Sequence, residues 1–383
     1  MKNIRNKITG WFARPDQESS PEPPPPGAAP ETQEVSPGEV ERLRRQAGQL
    51  QEILKVKPED APLHLKLAQT WMAMHRYAEA VAPLQEIIRL DPQHPSATYN
   101  LAQCYIERGR DDDAIDLLQA ARRNHPESQA VTLLLAQAHT NLCVTLGKLK
   151  RWEESMVHFG KATALLPRFG PAHLALGRTY IQQGRYDEAI KKFRETIEMD
   201  PHLQVEALHN LAQAHSKKGA NRKALKYFQE AIQADPRAAL IHQDFGAFHY
   251  KQGKLEAAVE SFHNALKMSP KLTADTWFKL GLALARLNRT QEAEEPLRQA
   301  YELTPDNRQV QDALTAILVR ISQIHRQAKK PLEGLALLKE AVSIDPTHAK
   351  AQFALAGLYD MTQEGKRAIR HMLFAKNFFL EQK

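Results

Sequence analysis

Apolar residues along this chain recur every three or four positions in stretches such as AVAPLQEIIRLDP and KKFRETIEMDP, the spacing of one buried face of an α-helix. Each stretch is closed by a proline, whose missing N–H and the restriction it places on the preceding residue stop a helix. The closing prolines are Pro58, Pro92, Pro126, Pro167, Pro201, Pro236, Pro270, Pro305 and Pro346, at intervals of 34, 34, 41, 34, 35, 34, 35 and 41 residues. A period near 34 predicts an array of like units. No unit of that length buries its apolar face alone, so neighbours must stack into one quasi-linear core.

Counting back from each proline places small residues at the eighth and twentieth positions of the unit: Ala68/Ala80, Ala102/Ala114, Gly177/Ala189, Ala212/Ala224, Gly246/Ala258, Gly281/Ala293 and Ala356/Ala368. Small side chains there let two helices cross closely. Position 24 is bulky and apolar (Leu84, Leu118, Phe159, Phe193, Phe228, Phe262, Leu297, Leu338, Met372), position 27 is mostly alanine, and position 11 is usually aromatic or His. This pattern resembles the tetratricopeptide repeat. The resemblance implies an all-α, right-handed superhelical solenoid of helix-turn-helix units with a ligand-binding concave face. It covers residues 61–381 as nine helix pairs, within a repeat region assigned to 58–383 and preceded by a single amphipathic helix at 38–57 (Val40, Leu43, Ala47, Leu50, Leu54).

Two departures from the period are informative. Each 41-residue interval holds seven extra residues, about two helical turns, and the apolar periodicity stays in phase. Elongated first helices are therefore expected near 129–149 and 308–328, with local packing favoured over a projecting ridge as their role. Pro83 and Pro296 both fall at position 23, inside a second helix, where a local bend is expected.

Composition narrows the function. With 42% apolar and 25% charged residues the chain is an ordinary soluble one, and it holds no run of about 18 consecutive apolar residues. Cys104 and Cys143 are too few for a disulfide framework or zinc cluster. There is no phosphate-cradling glycine cluster among 17 glycines, and no HExxH, CxxC or GxSxG motif. His64, His139, His173 and His242 stand at position 4, and His215, His249 and His325 at position 11, which reads as helix packing and not metal ligation. No catalytic residue, cofactor or metal is expected.

The resemblance implies that positions 2, 5, 6, 9, 12 and 13 of each first helix line the concave groove. Those positions carry Lys66, Lys148, Arg178, Lys217, Lys251, Lys279, Arg286, Arg320, Arg326 and Lys350 against Glu107, Glu206, Asp244, Asp275 and Asp360. Much of the net charge of +7 is thus placed in the groove, which favours acidic partner segments. Asn100, Asn141 and Asn210 share position 6, where relatives use asparagines to hold a peptide backbone; an amide donates and accepts at once. Leu65, Gln69 and Gln137 break the two-carboxylate clamp of chaperone-binding members. Basic residues without a regular aromatic stacking series argue against nucleic acid.

The ends differ from the array. Residues 1–14 hold four bases and no acid, and Met1, Ile4, Ile8, Trp11 and Phe12 project onto one helical face, with Lys2, Lys7 and Arg14 outside it. A membrane-surface helix, a docking motif for a partner and a mitochondrial presequence all share this look. Residues 15–37 hold eight prolines, five acids and no base, with the run PEPPPPGAAP in the middle, and are expected to form an extended tether. The last helix spreads Ile369, Met372, Leu373, Phe374, Phe378, Phe379 and Leu380 around its circumference, which predicts self-association or a partner there. The expectation is a non-catalytic cytoplasmic scaffold or assembly factor, peripheral at the inner face of a membrane. The alternatives are a soluble nucleic-acid-associated adaptor or an organelle-targeted one.

Overall fold

The computed structural model describes residues 36–269 and 273–381, with the side chains of Pro37 and of 378–381 outside it. The expectations for residues 1–14 and for the tether through residue 35 lie outside the described residues, as do the side chains of Phe378, Phe379 and Leu380. Among the described residues the protein is all α-helical, a succession of stacked helix pairs, with one 3₁₀ turn at Pro201–Leu203 and no strand. It divides into two compact units, Met1–Ala214 and His215–Lys383.

The first unit begins with α1 (Pro37–Val56), a single helix that buries Ala47, Leu50 and Leu54 against the array. The pairs α2 (Ala61–Ala73) and α3 (Tyr77–Leu90), α4 (Pro95–Glu107) and α5 (Asp111–Asn124), α6 (Gln129–Lys148) and α7 (Trp152–Leu165), and α8 (Gly170–Gln182) and α9 (Tyr186–Met199) follow. The unit ends within the last turn of α10 (Gln204–Lys217). The second unit contains α11 (Asn221–Ala234), then α12 (Ala239–Lys251) with α13 (Leu255–Met268), α14 (Ala274–Arg286) with α15 (Thr290–Leu303), α16 (Arg308–Gln327) with α17 (Pro331–Ile344), and α18 (Ala349–Met361) with α19 (Gly365–Glu381). First helices also pack on the second helix before them, as α4 does on α3 and α18 on α17.

Local chemistry sets the boundaries. At the end of every first helix the residue at position 15 takes positive φ, as in Gly109 (φ 71°) and Lys150 (φ 60°). The next N–H then bonds back to the carbonyl of position 11, for instance Arg110 N to Tyr105 O at 2.8 Å and Lys330 N to His325 O at 2.9 Å. That closure satisfies a helix-end carbonyl that would otherwise have no partner. A side-chain clip reinforces it: Arg110 lies 4.7 Å over the Tyr105 ring and bonds Asp113 at 2.8 Å, and Arg185 repeats the arrangement with Tyr180 and Glu188. At the other turn, the carbonyl of the closing proline bonds the position-4 side chain of the next helix, in His64–Pro58 (2.8 Å), His242–Pro236 (3.0 Å) and Gln352–Pro346 (2.7 Å).

Those bonds give several histidines their role. His64, His173 and His242 latch turns; His139 faces His158, Nδ1 to Nδ1, at 3.1 Å, and burial pushes it down to about 4, so it is neutral at pH 7. His215 stacks on Tyr227, His249 lies 4.2 Å from the Phe245 ring, and His325 bonds Glu333 at 2.8 Å.

Helices α6 and α16 are each twenty residues long, against thirteen for α2, α4, α8, α12, α14 and α18. By length and composition α6 would also suffice to cross a membrane, although it holds no uninterrupted apolar run of that length. Its Val131, Leu134, Leu135, Ala138, Cys143 and Leu146 are nevertheless buried in the array. The extra turns are filled by local packing. Pro83 and Pro296 are buried, and α3 and α15 continue through them.

Candidate functional site

The groove positions named from sequence do lie along the first helices, and side chains from successive first helices reach one another there. In the first unit these contacts close on themselves. Arg178 of α8 donates to Asn210 Oδ1 of α10 at 3.2 Å and pairs with Glu206, while Asn210 donates to the Glu206 carbonyl at 2.6 Å. Asn141 of α6 accepts from Gln137 and donates to Asp111 Oδ1, both at 2.9 Å. Two of the three asparagines are thus already committed within the protein, and Asn100 is half-buried on α4. Between these clusters a cleft of about 20 Å³, lined by Gln137, Asn141, Val144, Leu174, Arg178 and Glu206, has room for little more than a water.

Asp111 was not among the residues singled out from sequence, because it opens a second helix and not a first. It is 6% exposed, and burial pushes its carboxyl up to about 6 against the lowering effect of the Asn141 bond. The run Asp111, Asp112, Asp113 was the available signal. Elsewhere in this unit Lys148 is exposed, and Lys66 lines an open groove of about 780 Å³ beside α1 with Arg42, Arg45, Gln49 and Ile53.

The second unit differs. Lys217, Lys251, Arg286, Arg320, Arg326 and Lys350 are exposed, and none forms an ion pair among the described residues. Two are positioned by uncharged neighbours: Arg286 lies 4.8 Å over the Tyr250 ring, and Arg320 donates to Asn288 Oδ1 at 3.1 Å. Stacking and a single neutral bond hold each guanidinium without cancelling its charge. Lys279 alone among this unit's predicted bases is paired, with Asp275 at 2.6 Å. Exposed Leu240 and Phe353, at positions 2 and 5, share the first-helix face with them. Among the described residues no group of three His, Cys, Asp or Glu side chains is placed to hold a metal.

Comparison with known proteins places this architecture. Tetratricopeptide repeat models match residues 72–138, 172–237 and 249–308. The chain is 24% identical over 206 residues to anaphase-promoting complex subunit cut9 of Schizosaccharomyces pombe, covering 52% of this chain and 29% of cut9. It is 27% identical over 177 residues to protein O-mannosyl-transferase TMTC1 of Homo sapiens, covering 45% of this chain and 20% of that protein. The chain therefore matches less than a third of the length of either relative. A tetratricopeptide repeat protein from Parabacteroides merdae shares the fold with a TM-score of 0.50 at 16% identity, over 67% of this chain and 98% of that one. With helix pairs, turn closures and three matched segments in agreement, the chain belongs to the tetratricopeptide repeat family, a protein–protein interaction module.

Proposed function

We propose that this protein is a non-catalytic scaffold or assembly factor that takes extended, acidic segments of partner proteins along the first-helix face of its second unit. The observation that carries the reading is the set of exposed bases on that face, Lys217, Lys251, Arg286, Arg320, Arg326 and Lys350, without an acidic partner among the described residues. Unpaired bases raise the encounter rate of an acidic chain and confer strong salt dependence. The nearby Leu240 and Phe353 supply apolar contact for side chains between the acids. Cut9 is a subunit of a multiprotein complex, in keeping with an assembly role, and the repeat helices α2–α19 account for the described chain beyond α1. Residues 1–14 hold this scaffold near a cytoplasmic membrane surface through the tether of 15–37.

Fluorescence anisotropy tests the groove directly. The probe is a labelled peptide alternating Glu with Leu, measured beside its Lys-for-Glu counterpart. The full chain should bind the acidic probe at least about tenfold tighter at 50 mM than at 300 mM salt, and Lys251→Glu with Arg286→Glu and Arg326→Glu should abolish that preference. An oligouridylate bound more tightly than the acidic peptide would replace this reading with the nucleic-acid one.

A further inference from the structure

Helix α17 shows what a second helix of this array presents to the repeat that follows it. Its Leu335 and Leu338, at positions 21 and 24, are buried in one cluster with Ala351, Leu355 and Leu358 of α18. The same positions are covered in most earlier second helices: Val81, Ile115, Ile190 and Val259 at position 21 are buried, and Leu84, Leu118, Phe193, Phe262 and Leu297 at position 24 are fully so, whereas α7 leaves Met156 exposed and Phe159 half-buried. In α19 these positions hold Ile369 and Met372, which are 64% and 50% exposed. The helix is docked normally on its other side, where Ala368 and Ala375 are buried.

Two further substitutions mark this helix. Positions 25 and 26 hold polar or small residues in the other eight repeats, among them Gln85 and Glu86, Arg298 and Gln299, and Lys339 and Glu340. In α19 they hold Leu373 and Phe374, both exposed. Ile369, Met372, Leu373 and Lys376 stand at i, i+3, i+4 and i+7, one stripe along the helix. Basic residues surround it: Lys366, Arg367, Arg370 and Lys376 are exposed, and no acid lies between Gly365 and Asn377. Arg367 pairs with Glu364, while Lys366, Arg370 and Lys376 form no ion pair among the described residues.

We propose that this stripe is a docking face for a single amphipathic helix of a partner protein, one with acidic residues flanking its apolar face. That helix would lie on α19 as α18 lies on α17. The geometry favours a helix because the exposed positions are those that the following helix buries in most of the array. The charge selects the class. A second copy of α19 would bring four bases against four, and the chain's own residues 1–14, with four bases and no acid, are repelled in the same way.

The test uses the full chain and two lactam-stapled peptides of the α18 sequence, residues 349–361. In one, the outward Lys350 and Phe353 are both replaced by Glu; in the other, Phe353 is replaced by Lys. By fluorescence anisotropy the acidic peptide should bind at least about tenfold more tightly, and Ile369→Gln with Met372→Gln should weaken it by about tenfold. Leu332→Gln, at an exposed leucine on α17, should leave binding unchanged. Leu373→Gln serves as a second, single variant should the double variant melt early by circular dichroism. Equal binding of the two peptides, or binding indifferent to these substitutions, overturns the proposal. So does a concentration-dependent dimer in sedimentation that the same substitutions abolish, which would make a second copy the occupant. Flotation with phosphatidylglycerol vesicles that depends on the same side chains would assign the face to a membrane, and equally overturns it.

Discussion

At position 8 seven of the nine repeats hold glycine or alanine, Cys143 and Ser322 standing there in the two long ones, and in four of the seven the choice matches the size of the side chain at position 24. Glycine faces phenylalanine in Gly177/Phe193 and Gly246/Phe262, and alanine faces leucine in Ala68/Leu84 and Ala102/Leu118. Gly281 with Leu297 and Ala212 with Phe228 depart from the pairing, yet a Cβ on Gly281 would still come within 2.6 Å of Leu297 Cγ. A Cβ on Gly246 would lie 2.7 Å from Phe262 Cδ1 and 2.8 Å from Cε1, against a ring that is fully buried. Gly246→Ala should therefore lower the urea midpoint by the equivalent of roughly 1–3 kcal/mol. Adding Phe262→Leu, which recreates the pairing of Ala68 with Leu84, should recover a measurable part of that loss. Failure of the second change to recover anything would place the cost in the glycine backbone and not in the ring.

Among the elements, α5 and α6 are joined by a bond with a pH dependence of its own. Asp111, the first residue of α5, has its carboxyl pushed up to about 6 by burial, above the roughly 3.9 of an unfolded aspartate. The folded state thus holds the proton more tightly than the unfolded one. Its contribution is fully present below about pH 4 and is lost as pH rises to about 6, where ionisation carries a penalty on the order of 2 kcal/mol. Asp111→Asn keeps an acceptor for Asn141 without the charge, and should raise stability over the natural chain at pH 7.5. The advantage should shrink at pH 4.5, as read by urea melts of both proteins at the two values. The helices themselves were legible from the chain: proline intervals gave the repeats, and in-phase apolar residues gave the long α6 and α16. The site was legible only as a list of positions. Which groove residues neutralise one another depends on reach between successive first helices, and Arg178 with Glu206, 28 residues apart, carries no local signal. Nor does position alone separate Lys279, held by Asp275, from Lys251, which is left to solvent.

For the whole molecule, charge is distributed in blocks: four bases in residues 1–14, five acids and no base between Asp16 and Pro37, and exposed bases on the second unit's first-helix face and on α19. If residues 1–14 anchor the chain, deleting them should abolish flotation with vesicles containing anionic lipid and leave the thermal melt unchanged, since α1 and the array stand apart from that segment in sequence. Flotation unaffected by the deletion would assign residues 1–14 to a partner protein or a targeting role. The two long helices carry a different consequence. Each exceeds its thirteen-residue counterparts by seven residues, and seven residues at 100° each return the helix face to within about 20° of its starting direction. An insertion of five would instead turn everything beyond it by about 140°, aiming the positive-φ turn and its Arg clip away from the neighbours they fasten. Length in this array is therefore quantised, and a lineage can lengthen a first helix only in steps that leave the next turn facing the same way.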